Sequence, residues 1–270
     1  MVDQAKIRPY QPNGDDQRLA RFTVAKARME GLAVANRKTY VDPRFLAVWV
    51  ALASLLIQYL NWWPNPSLPW WTYLRPIPAF AAFLVPLMFI VDLSNRPYFD
   101  AETQKVLHQI DILDFHAYYA RSPASGFWIL EYGKKFVGLI AIDASLDSTS
   151  DKTVVSNGNP SQVAAVQKET SKRGTSEVAT IRHFYVMEEY RSTLMQEDLL
   201  HFAVQQTFSM DRKVKKIKAA DSTLEPWGGA AMTKEGFTTE KQLGKMGILG
   251  WAIRSRVLTR EKWAQIPDSQ

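Results

Sequence analysis

Two uncharged apolar runs, residues 45–60 and 76–91, limit what this chain can fold into more than any other feature of it. Each holds 16 residues, and a helix of that length reaches about 24 Å against a bilayer hydrocarbon core of roughly 30 Å. The connector carries Trp62, Trp63, Trp70 and Trp71 among several prolines, residues suited to a tight turn and an interfacial aromatic belt. The runs therefore predict a helical hairpin over 44–92, as two short transmembrane spans or a re-entrant pair. A buried hairpin of a soluble core is the competing reading. It is disfavoured because adjacent uncharged runs joined by a short turn are rare there.

Charge predicts the orientation. Nine basic residues lie between Lys6 and Arg44, whereas the connector holds only Arg75. Positive residues stay cytosolic, so both the N-terminus and everything after residue 91 are expected on the cytosolic side. Asn65-Pro66-Ser67 has proline at its centre and is no glycosylation acceptor. The first 30 residues contain no apolar core of signal-peptide length, so the internal runs are expected to deliver the chain to its membrane.

Other classes of function are narrowed by composition. The chain has no cysteine, which excludes disulfides, thiolate metal sites and a cysteine nucleophile. His108, His116, His183 and His201 lack paired metal-ligand spacing. The net charge of +6 is spread along the chain. It reads as a solvated basic surface near anionic lipid rather than a nucleic-acid stripe interleaved with aromatics.

Outside the hairpin the pattern alternates between strand and helix. A short strand over 6–10 precedes Asn13-Gly14-Asp15-Asp16, a turn and N-cap. Leu19, Phe22, Ala25, Met29 and Leu32 then repeat at helical spacing up to the Asp42-Pro43 step. Val106, Leu107, Ile110 and Leu113 mark a second helix, extending towards Tyr119. Strands are predicted over 127–132 and 136–144 as a hairpin, over 178–187, over 214–219 and over 248–253. Leu199, Leu200, Ala203, Val204, Thr207 and Phe208 line one helix face, and a compact stretch runs from Leu224 to Phe237. Residues 145–176 are polar and aperiodic, the pattern of a mobile surface loop. The expected organisation is a strand and helix over 1–43, the membrane hairpin over 44–92, the rest of the domain over 93–260 and a tail over 261–270.

Four stretches in this order resemble the GNAT superfamily of acetyl-CoA-dependent N-acetyltransferases, and more narrowly its NAT8-like membrane-anchored branch. They are Ile7-Arg8-Pro9-Tyr10, the hairpin from Phe127-Trp128-Ile129 to Phe136-Val137-Gly138, His183-Phe184-Tyr185-Val186-Met187-Glu188-Glu189-Tyr190-Arg191, and Lys234-Glu235-Gly236-Phe237. The third matches the family's Val-x-x-Glu-[Tyr/His]-Arg step. The resemblance implies an α/β fold, a mixed central sheet flanked by helices, interrupted here by the inserted hairpin.

It further implies acetyl-CoA as cofactor, bound by Tyr185, Val186, Arg191, Ser192, Thr193, Leu194 and Gln196. Backbone N–H groups at a helix start cradle the pyrophosphate there. The family's small positions are Leu194 and Gln196 in this chain, so the phosphate loop is degenerate. Its common proton-donating tyrosine falls on Met232. His183, on the strand facing the acetyl site, is the implied general base, because an imidazole exchanges a proton near neutral pH. Glu189, with Glu188, is a second catalytic candidate, and Asp143 a weaker base. The implied activity transfers acetyl to an amine of a small conjugate or a protein lysine at the endoplasmic reticulum. The alternative is a catalytically silent scaffold or assembly factor for a membrane-protein partner. Membrane lipid is an expected partner in either case, and nucleic acid is not.

Overall fold

The computed structural model of the chain describes residues 4–65, 69–151, 153 and 171–266. The chain divides into two compact units. The first, Met1–Arg28 with Glu102–Lys245 and Trp251–Gln270, is built on a seven-stranded mixed sheet in the order β1-β2-β3-β4-β5-β7-β6. The strands are β1 (Ala5–Pro9), β2 (Gly126–Tyr132), β3 (Lys135–Ser145), β4 (Thr175–Val186), β5 (Lys216–Ser222), β6 (Thr238–Met246) and β7 (Trp251–Thr259). β1 to β4 are antiparallel neighbours, β4 and β5 run parallel, and β5 and β7 are antiparallel.

Alternation along the strands gives the sheet two apolar faces. Leu130, Ile140 and Ile142 join one core with Leu199, Leu200, Ala203, Val204 and Phe208, the stripe predicted for the long helix, here Met195–Met210. Ile129, Leu139 and Ala141 join the other with Ala20, Val24, Phe115, Tyr118 and Tyr119. The first helix, α1 (Gly14–Tyr40), begins where expected: Asn13 Oδ1 accepts the Asp16 N–H at 2.7 Å. Arg8 staples this start to the sheet, bonding Asp16 at 2.6 Å and Glu131 at 2.8 Å.

Two expectations are corrected. The helix predicted from Val106 to Tyr119 is broken. Its first residues end a longer helix, Ile77–Leu107, and two short helices follow, Ile110–Leu113 and Phe115–Tyr119. Asp114 separates them in extended conformation and caps the second by accepting the Ala117 N–H at 2.9 Å. Secondly, residues 248–253 are not one strand: Gly247 and Gly250 take positive φ, 71° and 68°, and put a turn between β6 and β7. β6 was not foreseen because it is exposed over most of its length and its polar run Thr238-Thr239-Glu240-Lys241-Gln242 shows no alternation. The segment after β7 begins as a helical turn, Arg260–Trp263, whose Trp263 ring stands 5.3 Å from Phe208. Most of the polar loop predicted over 145–176, residues 152 and 154–170, lies outside the described residues. At its ends β3 runs to Ser145 and β4 starts at Thr175.

The second unit, Met29–Ala101 with Met246–Gly250, is mainly helical. The α2 helix (Pro43–Tyr59) starts at the Asp42-Pro43 step, with Asp42 as N-cap accepting the Arg44 N–H at 2.9 Å. A short 3-10 turn, Trp70–Leu74, leads into α3, Ile77–Leu107. The two apolar helices touch where Trp49 Nε1 donates to the Phe80 carbonyl at 2.9 Å. The helical stretch Trp70–Leu107 is the one described span long and apolar enough by itself to cross a membrane, and 11% of its most apolar window is buried. Val48, Val50, Leu55, Val85, Phe89, Ile90 and Leu93 are exposed.

Candidate functional site

The sheet opens between its two parallel strands. Val178, Ala179 and Thr180 of β4 pair with Lys216, Ile217 and Lys218 of β5. Beyond that point β4 continues to Val186 with β3 as its paired neighbour, while β5 remains paired with β7 along its whole length. A cavity of about 70 Å³ fills the opening, room for a few waters at roughly 10–15 Å³ each. β4 contributes Ile181, His183, Phe184 and Tyr185, and β5 contributes Ala220 and Asp221. Val24, Ala27 and Arg28 of α1 and Leu139 of β3 add to the wall. So do Trp227, Gly228 and Met232 from the helix Pro226–Lys234.

His183 is the only imidazole at this opening among the described residues, and it is buried. Its Nε2 lies 2.7 Å from Asp111 Oδ2, and the Tyr119 hydroxyl donates to the same oxygen at 2.8 Å. No partner reaches His183 Nδ1 among the described residues, so with Nε2–H donating to Asp111 the Nδ1 lone pair is available as a base. Burial opposes ionisation of Asp111, but the contact with His183, the Arg182 charge and the Tyr119 hydroxyl outweigh it and hold the carboxyl below its usual range. Burial first, then Asp111, pushes the Tyr119 hydroxyl well up, so it stays a donor. The arrangement can take a proton at Nδ1 and stabilise the resulting imidazolium through Asp111.

Asp143 is different. It accepts from Tyr118 Oη at 2.9 Å, Arg182 Nε at 3.0 Å and Ser145 Oγ at 2.6 Å. Arg121 stacks on the Tyr118 ring at 3.8 Å and bonds Ser145 Oγ at 2.9 Å. With both oxygens engaged and the residue fully buried, Asp143 holds β3 and β4 together and has no lone pair to spare as a base.

The second wall of the opening is filled. The Trp227 ring packs 5.3 Å from Phe184 and 6.4 Å from Tyr185, with the Arg191 guanidinium 4.4 Å over its face. Met232, at the tyrosine position, is buried in the cavity wall and offers no proton. Gly229 is required by close approach, since a Cβ there would stand 2.7 Å from Asp221 Oδ2. Asp221 is itself buried between Arg254 at 2.9 Å and Arg256 at 3.0 Å.

The other cofactor positions follow the end of β4. Tyr185 lines the cavity, and Val186 is buried in the core with its carbonyl accepting Arg191 Nε at 2.8 Å. A short helical turn, Glu188–Arg191, comes next. Glu188 and Glu189 are exposed on its first turn, and neither is among the cavity-lining residues. Ser192 and Thr193 are exposed, and the Thr193 hydroxyl donates to the Tyr190 carbonyl at 2.6 Å. Leu194 takes φ 63°, ψ 14°, the left-handed conformation a glycine would adopt without strain. Its side chain is half exposed, so the turn keeps the backbone shape while the isobutyl group points partly into solvent. Gln196 is buried, with Oε1 unpartnered among the described residues. Asp111, Tyr119 and Trp227 were not anticipated. A lone aspartate between Ile110 and Ile112 was the available signal for the first.

No protein-family model and no curated protein matches the sequence. Among solved structures the neighbours are GNAT-family acetyltransferases. Spermidine N-acetyltransferase from Vibrio cholerae, in complex with CoA and spermine, is similar at 10% identity and TM-score 0.44, covering 97% of this chain and 98% of that one. A GNAT-family acetyltransferase from Streptococcus pneumoniae is similar at 11% identity and TM-score 0.39, over 55% of this chain and 74% of that one. With TM-scores below 0.5, any functional reading rests on the geometry of the site itself.

Proposed function

We propose that the chain is a membrane-anchored N-acetyltransferase, moving acetyl from acetyl-CoA to an amine of a small conjugate or a protein lysine. The observation that carries this reading is the Asp111–His183 pair, 2.7 Å apart, beside a gap between two parallel strands. The gap, where β4 runs on past its last β5 partner, lies next to a base whose Nδ1 has no partner among the described residues, which suits an incoming amine. His183 would take the amine proton at Nδ1; acetyl-CoA, when bound, would supply the acetyl group as a thioester and carry the displaced electron pair away on its sulfur as a thiolate. With Met232 in the wall, water must protonate that thiolate. Acetyl-CoA fits only in part: the left-handed turn at Leu194 suits a phosphate loop, but Trp227 must swing away to admit the pantetheine arm.

Trp227 also favours a second reading, a silent fold kept as a scaffold or assembly factor for a membrane protein, in which the indole permanently closes the gap. In both readings the apolar hairpin anchors the chain in a membrane, the endoplasmic reticulum, with both termini cytosolic.

Coenzyme A release with a lysine-containing peptide and with an amino-acid conjugate as acceptors tests the first reading. His183→Gln should slow release by about 100-fold or more and leave acetyl-CoA binding unchanged. Asp111→Asn should shift the pH profile of the rate. Release by the unaltered protein no faster than by His183→Gln would sink the enzyme.

A further inference from the structure

The helical unit contains one segment that an anchoring hairpin does not account for. The turn between β6 and β7, residues 246–250, belongs to this unit. Its sequence, Met246-Gly247-Ile248-Leu249-Gly250, has no charged or hydrogen-bonding side chain. The positive φ angles of its two glycines reverse the chain tightly and leave Ile248 and Leu249 at the tip. Ile248 is exposed and Leu249 half-buried. Ile248 keeps 41% of its surface accessible although it is a large aliphatic residue.

A buried polar ladder fixes where this tip stands on α3. The Ile248 N–H donates to Asn95 Oδ1 at 3.0 Å. Asn95 is fully buried and donates to Asn36 Oδ1 at 2.9 Å; Asn36 in turn donates to Asp92 Oδ1 at 2.8 Å. Asn95 comes four residues after Val91, the last residue of the apolar run. At 1.5 Å per residue that is about 6 Å along the helix, within a bilayer's interfacial layer of roughly 5–7 Å per side. Ile90 and Leu93 are exposed on the same stretch of α3, so the apolar surface of the helix continues to the level of the turn.

We propose that residues 246–250 make a third, shallow contact with the bilayer, with Ile248 and Leu249 entering the boundary between headgroups and acyl chains where the apolar run of α3 ends at Asp92. The proposal rests on the hairpin being a membrane anchor. Shallow apolar insertion of this kind adds attachment and fixes rotation about the anchor, which a single hairpin leaves free.

The absence of native cysteine makes the test direct. Ile248→Cys, Leu55→Cys and Gln205→Cys are each labelled with an NBD fluorophore and reconstituted into phosphatidylcholine vesicles. The vesicles carry doxyl groups either near the top or near the end of the acyl chain. The Ile248 label should lose fluorescence to the shallow group, the Leu55 label to the deep one, and the Gln205 label to neither. Quenching at Leu55 without quenching at Ile248 overturns the turn contact and leaves the anchor standing; a protein partner on the turn would give this pattern. No quenching at Leu55 removes the anchor and the turn contact with it.

Discussion

Leu194 shows how one residue can keep a backbone shape while changing what the loop presents. A left-handed leucine costs about 1–2 kcal/mol, which a glycine avoids at an entropic cost of roughly 0.5–1 kcal/mol. Because its side chain is half exposed, little packing is lost on removing it. Leu194→Gly should therefore leave stability unchanged or raise it by up to about 1 kcal/mol, read from urea unfolding. A loss larger than that would show the isobutyl group packing where its exposure says it does not. Gln196 is buried, so glycine there should destabilise the helix start by about 1 kcal/mol. The sequence showed both departures from the phosphate-loop pattern. It could not show that Leu194 retains the glycine conformation, because φ is set by the turn after Arg191 and not by residue type. His183 was legible in the same limited way: its strand was evident, but Asp111 is 72 residues distant in the chain, and only the folded sheet brings them together.

At the scale of elements, regular alternation was readable and irregular joints were not. The six residues predicted to line the long helix are all buried, because a 3.6-residue period records which side faces the sheet. β6 escaped because an exposed strand has no buried face to pattern it. The staple between β1, α1 and β2 gives a prediction at this scale. Arg8 hydrogen bonds hold the Asp16 carboxyl below its usual range, against the opposing effect of burial. A carboxylate depressed in the folded state stabilises it above the ordinary value, about pH 4, and that contribution is lost as pH falls through the lower folded value. Asp16→Asn should thus cost about 1–3 kcal/mol at pH 7 and flatten the acid limb of the stability profile. An unchanged acid limb in urea titrations would show that the ion pair does not hold the strand in place.

For the whole molecule, connectivity constrains topology. β1 pairs with β2 in one sheet, yet the two are separated in sequence by the apolar hairpin, so a chain that enters a membrane there must return to the side it left. Protease added to sealed microsomes should remove tags from both ends; a protected tag at either end would contradict this. Whether the molecule is an enzyme turns on the gap between β4 and β5. Calorimetric titration of acetyl-CoA into the detergent-purified protein and its Trp227→Ala variant addresses it most directly. The account predicts binding to the unaltered protein tighter than about 100 μM, roughly −5.5 kcal/mol, and no weaker binding once the indole is removed. No binding by either protein at millimolar acetyl-CoA would contradict the acetyltransferase.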